Sequence, residues 1–366
     1  MHSQLEAFHK ERQTVFYPKA DLPLADELLR PRPAPAEVQA VQVEAARDIC
    51  GRVFGQAPAD VRPLSETGTF HTLYRAVLSD GRCRVVRFNA LSDRQVDFPL
   101  LVDAAVMLRL AGSELPGVAV DLVDLSRRWC PWDYEILQEA PGMSLKTLDH
   151  DDALIVPFLR ALGGAVARLH DIRTEGYGLL DVRPLAAEPL KPQPLCGVHK
   201  SWCDYLTVRL PEHVGSCVDL GALTVAEAEA VLKLFEVFPT VCPPVPPSLL
   251  HGDLGNHNVF GAGGAITALI DWEDASSGDP VFDIAFWATF HPERRHQAFL
   301  GGYQSVRPLP VDFGLRFWVY FLRVALAKTV LRHRLGLTDV PGRPPAALRV
   351  RKGLEQAEAL LEPLAA

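Results

Sequence analysis

The chain has 366 residues, 48% hydrophobic and 22% charged, an ordinary globular balance that excludes a mostly disordered or fibrous protein. Lys and Arg number 37 against 45 Asp and Glu, and a net charge of −8 disfavours a broad nucleic-acid-binding face. The length calls for two domains, or two lobes, each with its own core.

Residues 1–35 read as an N-terminal extension with a short helix near 22–30. The opening MHSQLEAFHKERQ lacks the apolar core of a signal peptide. Residues 36–51 have helical apolar spacing and are expected to stop at Gly51. The segment VRPLSETGTFHTLYRAVLSDGRCRVVRFNA then carries strand-like runs around an SDG turn. A helix is expected over 97–111, and strands over 118–125 and 132–138 (WDYEILQ). After about residue 141 the pattern is almost all helical, with segments at 151–170, 199–210, 224–238, 283–289, 311–335 and 345–361. Thr224 and Glu227 frame a capping box. The apolar run at 317–331 contains Arg323 and Lys328, so it reads as a buried helix and no membrane partner is expected. Seven cysteines without a CxxC fit reduced thiols and a cytoplasmic chain. Proline clusters at 31–35, 184–194, 239–247 and 341–345 read as connectors. A strand-rich first third and a helix-rich remainder make an α+β chain, divided at 36–140 and 141–366.

One region concentrates polar chemistry: SLLHGDLGNHNVFGAGGAITALIDWEDASSGDPVFD at 248–283. Phosphoryl transfer needs hard oxygen ligands for Mg²⁺, and a separate carboxylate to align the acceptor hydroxyl and take its proton. Asp253, Asn258 and Asp271 supply such a set. Gly261, Gly263 and Gly264 permit a turn, after which AITALI returns as a hairpin and brings Asp271 beside Asn258. The competing reading makes these carboxylates caps and turn residues, most plausibly at Asp279 and Asp283.

HGDLGNHN and IDWEDASSGDPVFDIA resemble the H-G-D-x-x-x-x-N and I-D-W-x-x-x-x-x-G-D-P-x-x-D segments of the aminoglycoside phosphotransferase and choline kinase superfamily. The wording is most similar to the hygromycin B phosphotransferase branch. The resemblance implies a protein-kinase-like two-lobed fold, a small β-rich N-lobe binding nucleotide and a larger helical C-lobe holding catalytic loop and substrate. It implies Asp253 as catalytic base, Asn258 and Asp271 as Mg²⁺ ligands, His251 ordering the loop, and Asp279 and Asp283 bracing it. SETGTFHTLYRA fits the loop over the phosphates, with Gly68 and Thr69 at its tip. Arg87 in CRVVRF stands where the superfamily usually has Lys, and Asp103 is the best-placed carboxylate partner on the next helix. A longer cation paired with a shorter acid would keep the reach similar. Residues 132–142 resemble the hinge, which points to backbone groups of Gln138, Glu139 and Ala140 for the base of ATP or GTP. His170, in ARLHDI, reads as structural.

The substrate is less legible. Residues 201–300 hold 13 acids against 4 Lys and Arg, whereas 313–352 hold 9 Lys and Arg against Asp339. Glu273 and Asp274 suit a polycationic aminoglycoside, while Arg316, Arg323, Lys328, Arg332 and Arg334 suit a neutral or anionic substrate. Both sets are also what solvated helix faces look like. Trp202, Tyr205, Trp287, Phe317 and Trp318 either line a pocket or belong to the core, with Trp287 the candidate substrate contact. The expected function is phosphorylation of a hydroxyl on an antibiotic-like small molecule of aminoglycoside or nucleoside type, conferring resistance. A metabolic kinase for a sugar, choline or homoserine is the alternative. From another class, an inactive kinase-fold binding protein has only Arg87 in its favour. A protein kinase fits less well, because Trp-Glu follows Asp271 in place of Phe-Gly. A metal hydrolase would need more nitrogen ligands than His251 and His257 give.

Overall fold

The computed structural model describes residues 2–22, 36–64, 71–89, 96–111, 113–338 and 345–365. The expected helix at 22–30, and Gly68 and Thr69 of the expected phosphate loop, lie outside the described residues but for Leu22. No helix among the described residues is long and apolar enough to cross a membrane. All seven cysteines are free thiols.

The first third builds an antiparallel five-stranded sheet. Its strands are β1 (Asp60–Pro63), β2 (His71–Val77), β3 (Cys83–Asn89), β4 (Val120–Asp124) and β5 (Tyr134–Gln138), in the spatial order β1-β2-β3-β5-β4. The SDG turn closes the β2–β3 hairpin, with Gly81 at φ +84°. The Ala36–Phe54 helix lies on one face of the sheet. Ala46, Ile49 and Cys50 pack there with Tyr74, Val86, Phe88 and Ile136. This helix runs through Gly51 and ends beside Gly55, which takes φ +77°. A glycine inside a helix only weakens it, whereas left-handed backbone stops it. Strand alternation sets the polarity of the sheet. Val86, Phe88, Tyr134 and Ile136 enter this small core, so Arg87 and Glu135 point to the opposite face.

The remainder is helical, with two small sheets inserted. β6 (Met143–Ser144) pairs with β10 (Val259–Ala262), which pairs with β11 (Ala265–Leu269). β7 (Tyr177–Leu180), β8 (Gly197–His199), β9 (Ser248–Leu250) and β12 (Ser276–Gly278) form the other sheet, in the order β8-β7-β12-β9. These strands of two to five residues are too short for period-two alternation to show against the helices around them. The capping box at Thr224 and Glu227 is present. The helix expected over 199–210 breaks into Trp202–Thr207 and Leu210–Asp219 at Arg209, which sits at φ 51°.

Two helices at the back of the site cross unusually closely. An added Cβ on Gly163, in Asp152–Leu169, would meet the Phe299 carbonyl oxygen at 2.0 Å. One on Gly302, in Glu293–Gln304, would meet the Arg160 carbonyl oxygen at 1.9 Å. Backbone cannot yield as a flexible side chain can. Gly302→Ala is therefore expected to cost about 1–3 kcal/mol of stability, read as a lower urea midpoint. An unchanged midpoint would show that the helices part without cost.

Residues 2–22 pack into the main core. Val15, Phe16 and Tyr17 are buried in the main core, and the Tyr205 hydroxyl donates to the Phe16 carbonyl at 2.8 Å. Asp21 accepts from the Phe16 and Tyr17 backbone N–H groups at 2.7 and 2.9 Å, and lies 2.6 Å from His213 Nε2.

Candidate active site

β9 delivers His251, Gly252 and Asp253 to the floor of the site. Gly252 takes φ +78°, and an added Cβ would meet the Asp274 carbonyl oxygen at 2.0 Å, so only glycine fits. Asp283 accepts the backbone N–H groups of His251 and Gly252 at 2.7 and 3.1 Å, and lies 3.3 Å from His170 Nε2. His170 is in turn 2.9 Å from the Tyr303 hydroxyl. The His251 ring lies against the Trp272 indole, with centroids 4.3 Å apart, and its Nε2 is 3.1 Å from the Ile270 carbonyl oxygen. Asp279 accepts from Arg316 at 2.9 Å, the Tyr320 hydroxyl at 2.8 Å and the Val281 N–H at 2.9 Å. The turn is thus pinned from below by two fully paired, buried acids.

The hairpin of β10 and β11 forms as its glycines suggest. Ile270 N–H donates to the Asn258 carbonyl at 3.0 Å, which sets Asp271 beside Asn258. The Asn258 side-chain NH₂ donates to the Asp253 carbonyl at 3.0 Å, leaving Oδ1 as the end outside that bond. Among the described residues, Asp271 is one of three non-glycine residues with positive φ, at 67°. Such backbone persists only where its surroundings hold it, and it collects at functional sites.

Arg87 comes from the sheet to meet this loop. One terminal nitrogen lies 2.8 Å from Asp271 Oδ1 and 2.7 Å from Glu273 Oε1, and the other 3.0 Å from Glu135 Oε1. The nearest place on that nitrogen goes to Glu135, and Asp103, the expected partner from the next helix, pairs with it at 3.9 Å. Its Oδ1 accepts the Trp272 backbone N–H at 2.5 Å. Glu135 holds that place because it lies directly across the β3–β5 ladder from Arg87. Arg87→Lys is expected to lower turnover at least about tenfold, because a single ammonium cannot replace a fork bonded on both arms. Full activity in that variant would contradict the fork's role.

Four carboxylates thus surround one guanidinium. Burial raises Asp103, and raises Glu135 well above the ordinary range. Glu273 is pushed up to about 7 by burial, against the pull of Arg87. Asp103 Oδ2 and Glu135 Oε2 are buried without a hydrogen-bond partner among the described residues. A hard divalent cation would suit this excess of oxygen, and Asp271 and Asn258 Oδ1 are the donors that could hold one.

Residues 60–311 match the phosphotransferase enzyme family (APH). The chain belongs to this family. It is 28% identical over 251 residues to the hygromycin-B 4-O-kinase of Escherichia coli, a match covering 64% of this chain and 67% of that enzyme. It is 32% identical over 183 residues to a homoserine kinase of Gluconobacter oxydans, covering 46% of this chain and 49% of that one. Its fold resembles the ternary complex of a thermostable aminoglycoside phosphotransferase APH(4)-Ia mutant with AMP-PNP and hygromycin B. The TM-score is 0.61 at 20% identity, over 87% of this chain and 98% of that one. Macrolide 2′-phosphotransferase MphH from Brachybacterium faecium gives a TM-score of 0.54 at 19% identity, over 84% of this chain and 98% of that one. The protein is a phosphotransferase with a hydroxyl acceptor, on the α+β kinase-like fold.

Other candidate residues of this phosphotransferase fall differently from expectation. Gln138, Glu139 and Ala140 line a cleft of about 580 Å³ at the end of β5. The N–H groups of Gln138 and Glu139 donate to the Ala119 and Cys83 carbonyls, at 2.8 and 3.4 Å. Trp287 does not contact a substrate cavity. It is fully buried, with its indole stacked between His291 and Phe299 at 3.7 and 4.7 Å. Glu273 is drawn to Arg87 and, at 3.3 Å, to His71, on the side of the sheet. Asp274 lies 3.2 Å from Lys19.

A cavity of about 1110 Å³ opens beside Asp253, walled by Phe313–Arg334 and Ala346–Ala365 and by residues 288–300. Phe317 and Trp318 line it, whereas Trp202 and Tyr205 belong to the core. Lys19, from residues 2–22, bonds directly to Asp253 Oδ2. Lys328 lies 3.7 Å from Asp253 Oδ1 and is ringed by Tyr17, Phe286 and Phe290, with centroids 4.2 to 4.6 Å away. Burial alone would raise Asp253, but the two ammonium groups outweigh it and hold the carboxyl below its usual range. Sequence reading missed Lys19 altogether, since no local pattern links it to a residue 234 positions away.

Proposed function

We propose that the protein transfers the γ-phosphoryl group of ATP, with Mg²⁺, to a hydroxyl of a small molecule held in the 1110 Å³ cavity. The observation that carries this reading is Asp253, which lines that cavity while Asn258, bonded to its carbonyl, stands beside Asp271. Asp253 orients the acceptor hydroxyl and takes its proton as the new O–P bond forms in line with the breaking β–γ bridge, releasing ADP. Asp271 and Asn258 would hold the metal, which when bound would neutralise phosphate charge. Arg87 fixes Asp271 from the sheet side. Residues 36–140 serve the nucleotide and 141–366 the acceptor, with residues 2–22 added to the acceptor side. ATP as donor is supported by the AMP-PNP complex of the structural neighbour.

The hygromycin and macrolide relatives support an antibiotic acceptor and a resistance role. The homoserine kinases support a metabolic one. ADP or GDP release across a panel of antibiotics, sugars, nucleosides and amino-acid alcohols tests the reading. Release never exceeding that of Asp253→Asn would sink it.

Lys19 belongs to this proposed machinery. It sets the charge of Asp253 and places an ammonium where the transferred group must pass. Lys19→Ala is expected to lower kcat about 10- to 100-fold with little change in KM for ATP. Removing the cation raises the Asp253 pKa, so the acid limb of the kcat profile moves to higher pH. A faster variant would mean that Lys19 blocks the acceptor instead.

A further inference from the structure

The two oxygens of Asp253 are treated differently. Lys19 bonds directly to Oδ2, which leaves Oδ1 as the oxygen for an acceptor proton. Lys328 faces Oδ1 from 3.7 Å, beyond hydrogen-bond range. An ammonium and a carboxylate that are both about nine-tenths buried ordinarily close to ~2.8 Å, because their attraction grows as they leave water. What stops Lys328 is its seat. Its Nζ donates to the Tyr17 hydroxyl at 2.7 Å, and the rings of Tyr17, Phe286 and Phe290 surround it. Tyr17 can hold a cation back because it is itself fixed. It is buried, its backbone N–H donates to Asp21 at 2.9 Å, and its ring meets that of Phe286 edge-on at 6.1 Å. Two positions on, Lys19 is the cation that takes Oδ2. One short stretch, Tyr17-Pro18-Lys19, thus governs both oxygens. Tyr17 and Lys328 both line the acceptor cavity beside Asp253.

Were Lys328 to reach Oδ1 as well, each oxygen would carry an ammonium, and an alcohol would have to displace one of them. We propose that Tyr17 is a positioning residue of the transfer: its hydroxyl holds Lys328 off Oδ1 and so keeps that oxygen for the acceptor hydroxyl. At 3.7 Å Lys328 still steadies the carboxylate charge without occupying the oxygen. This role rests on the phosphotransferase reading of the same site, with Asp253 as base.

Tyr17→Phe removes one oxygen and keeps the ring among its neighbours. Crystal structures of the parent and of this variant, both full chains, are compared first. In the variant, Lys328 Nζ is expected to close on Asp253 Oδ1 to ~2.8 Å. A separation still near 3.7 Å, with or without a water in place of the hydroxyl, overturns the proposal. ADP release with ATP and Mg²⁺ is then read for water and for the acceptor panel. Tyr17→Phe is expected to lower kcat about tenfold or more, with KM for ATP little changed. In a Lys328→Met background the stem still fills the ring of aromatics but carries no charge. There the same change is expected to cost less than about twofold. A merely structural Tyr17 would cost the same factor in both backgrounds, and that result overturns the proposal, as does closure of Lys328 without loss of turnover. Closure of Lys328 with no Asp253-dependent release from the parent on any acceptor overturns the kinase reading and leaves the hold of Tyr17 on Lys328 standing. An unchanged separation with ADP release intact overturns the role of Tyr17 alone.

Discussion

Asp253→Asn is expected to lower kcat by about 10²- to 10⁴-fold, the range of a lost general base, while ATP affinity stays near that of the parent. The amide keeps the shape of the carboxylate and can still sit beside Lys19, but it cannot take the hydroxyl proton. It also leaves Lys19 and Lys328 sharing one pocket without the charge that holds them together. A modest fall in thermal midpoint should accompany the loss of turnover. The decisive measurements are kcat from ADP release and ATP affinity by calorimetry, made on one preparation. Near-parental kcat would remove Asp253 from the chemistry. Loss of nucleotide binding together with turnover would place it among the phosphate ligands.

The second large effect is expected at Asp271. Asp271→Asn should weaken ATP binding by about 100-fold or more in the presence of Mg²⁺, and change it little in EDTA. Asparagine is the informative substitute because it tolerates the left-handed backbone at φ 67°. Asp271→Ala would add a backbone penalty of about 1–3 kcal/mol and confuse metal loss with unfolding. The loss should be in the metal-dependent part alone, since Arg87 still has Glu135 and Glu273 as partners. Equal affinities of parent and Asp271→Asn in Mg²⁺ would exclude Asp271 as a ligand.

The parts of the site that could be read from the chain are those close in sequence. HGDLGNHN, the glycine turn and IDW lie within some two dozen residues, and the β10–β11 hairpin follows from local turn chemistry. The α+β division was legible for the same reason, since apolar period shifts from two to 3.6 along the chain. What escaped depends on residues brought together across the fold. Glu135 is a buried acid in the apolar run YEILQ, and that anomaly was its one visible signal. Its pairing with Arg87 needed the register of β3 on β5. Trp287 looked like a pocket aromatic because composition does not reveal which face of an eight-residue helix turns inward. The basic C-terminal stretch looked uniform. In the fold it separates into three arginines that tie backbone and Asp279 together and a set that faces the cavity.

The docking of residues 2–22 has a consequence for how this protein comes into being. Tyr17 receives the Lys328 ammonium at 2.7 Å, Phe16 lies under the Arg323 guanidinium, and the Ala20 and Leu22 carbonyls are held by Arg334. All three cations belong to a helix made some three hundred residues later. On a ribosome adding about 5–20 residues per second, the segment carrying Lys19 lacks these three partners for at least ~15 s. The sheet can fold in that interval, because its own contacts are complete by residue 138. The five-stranded sheet is therefore assembled early and the centre around Asp253 closes last. Activity is then expected only in chains finished through residue 334, where Lys328 and Arg334 complete the seat of the segment that carries Lys19.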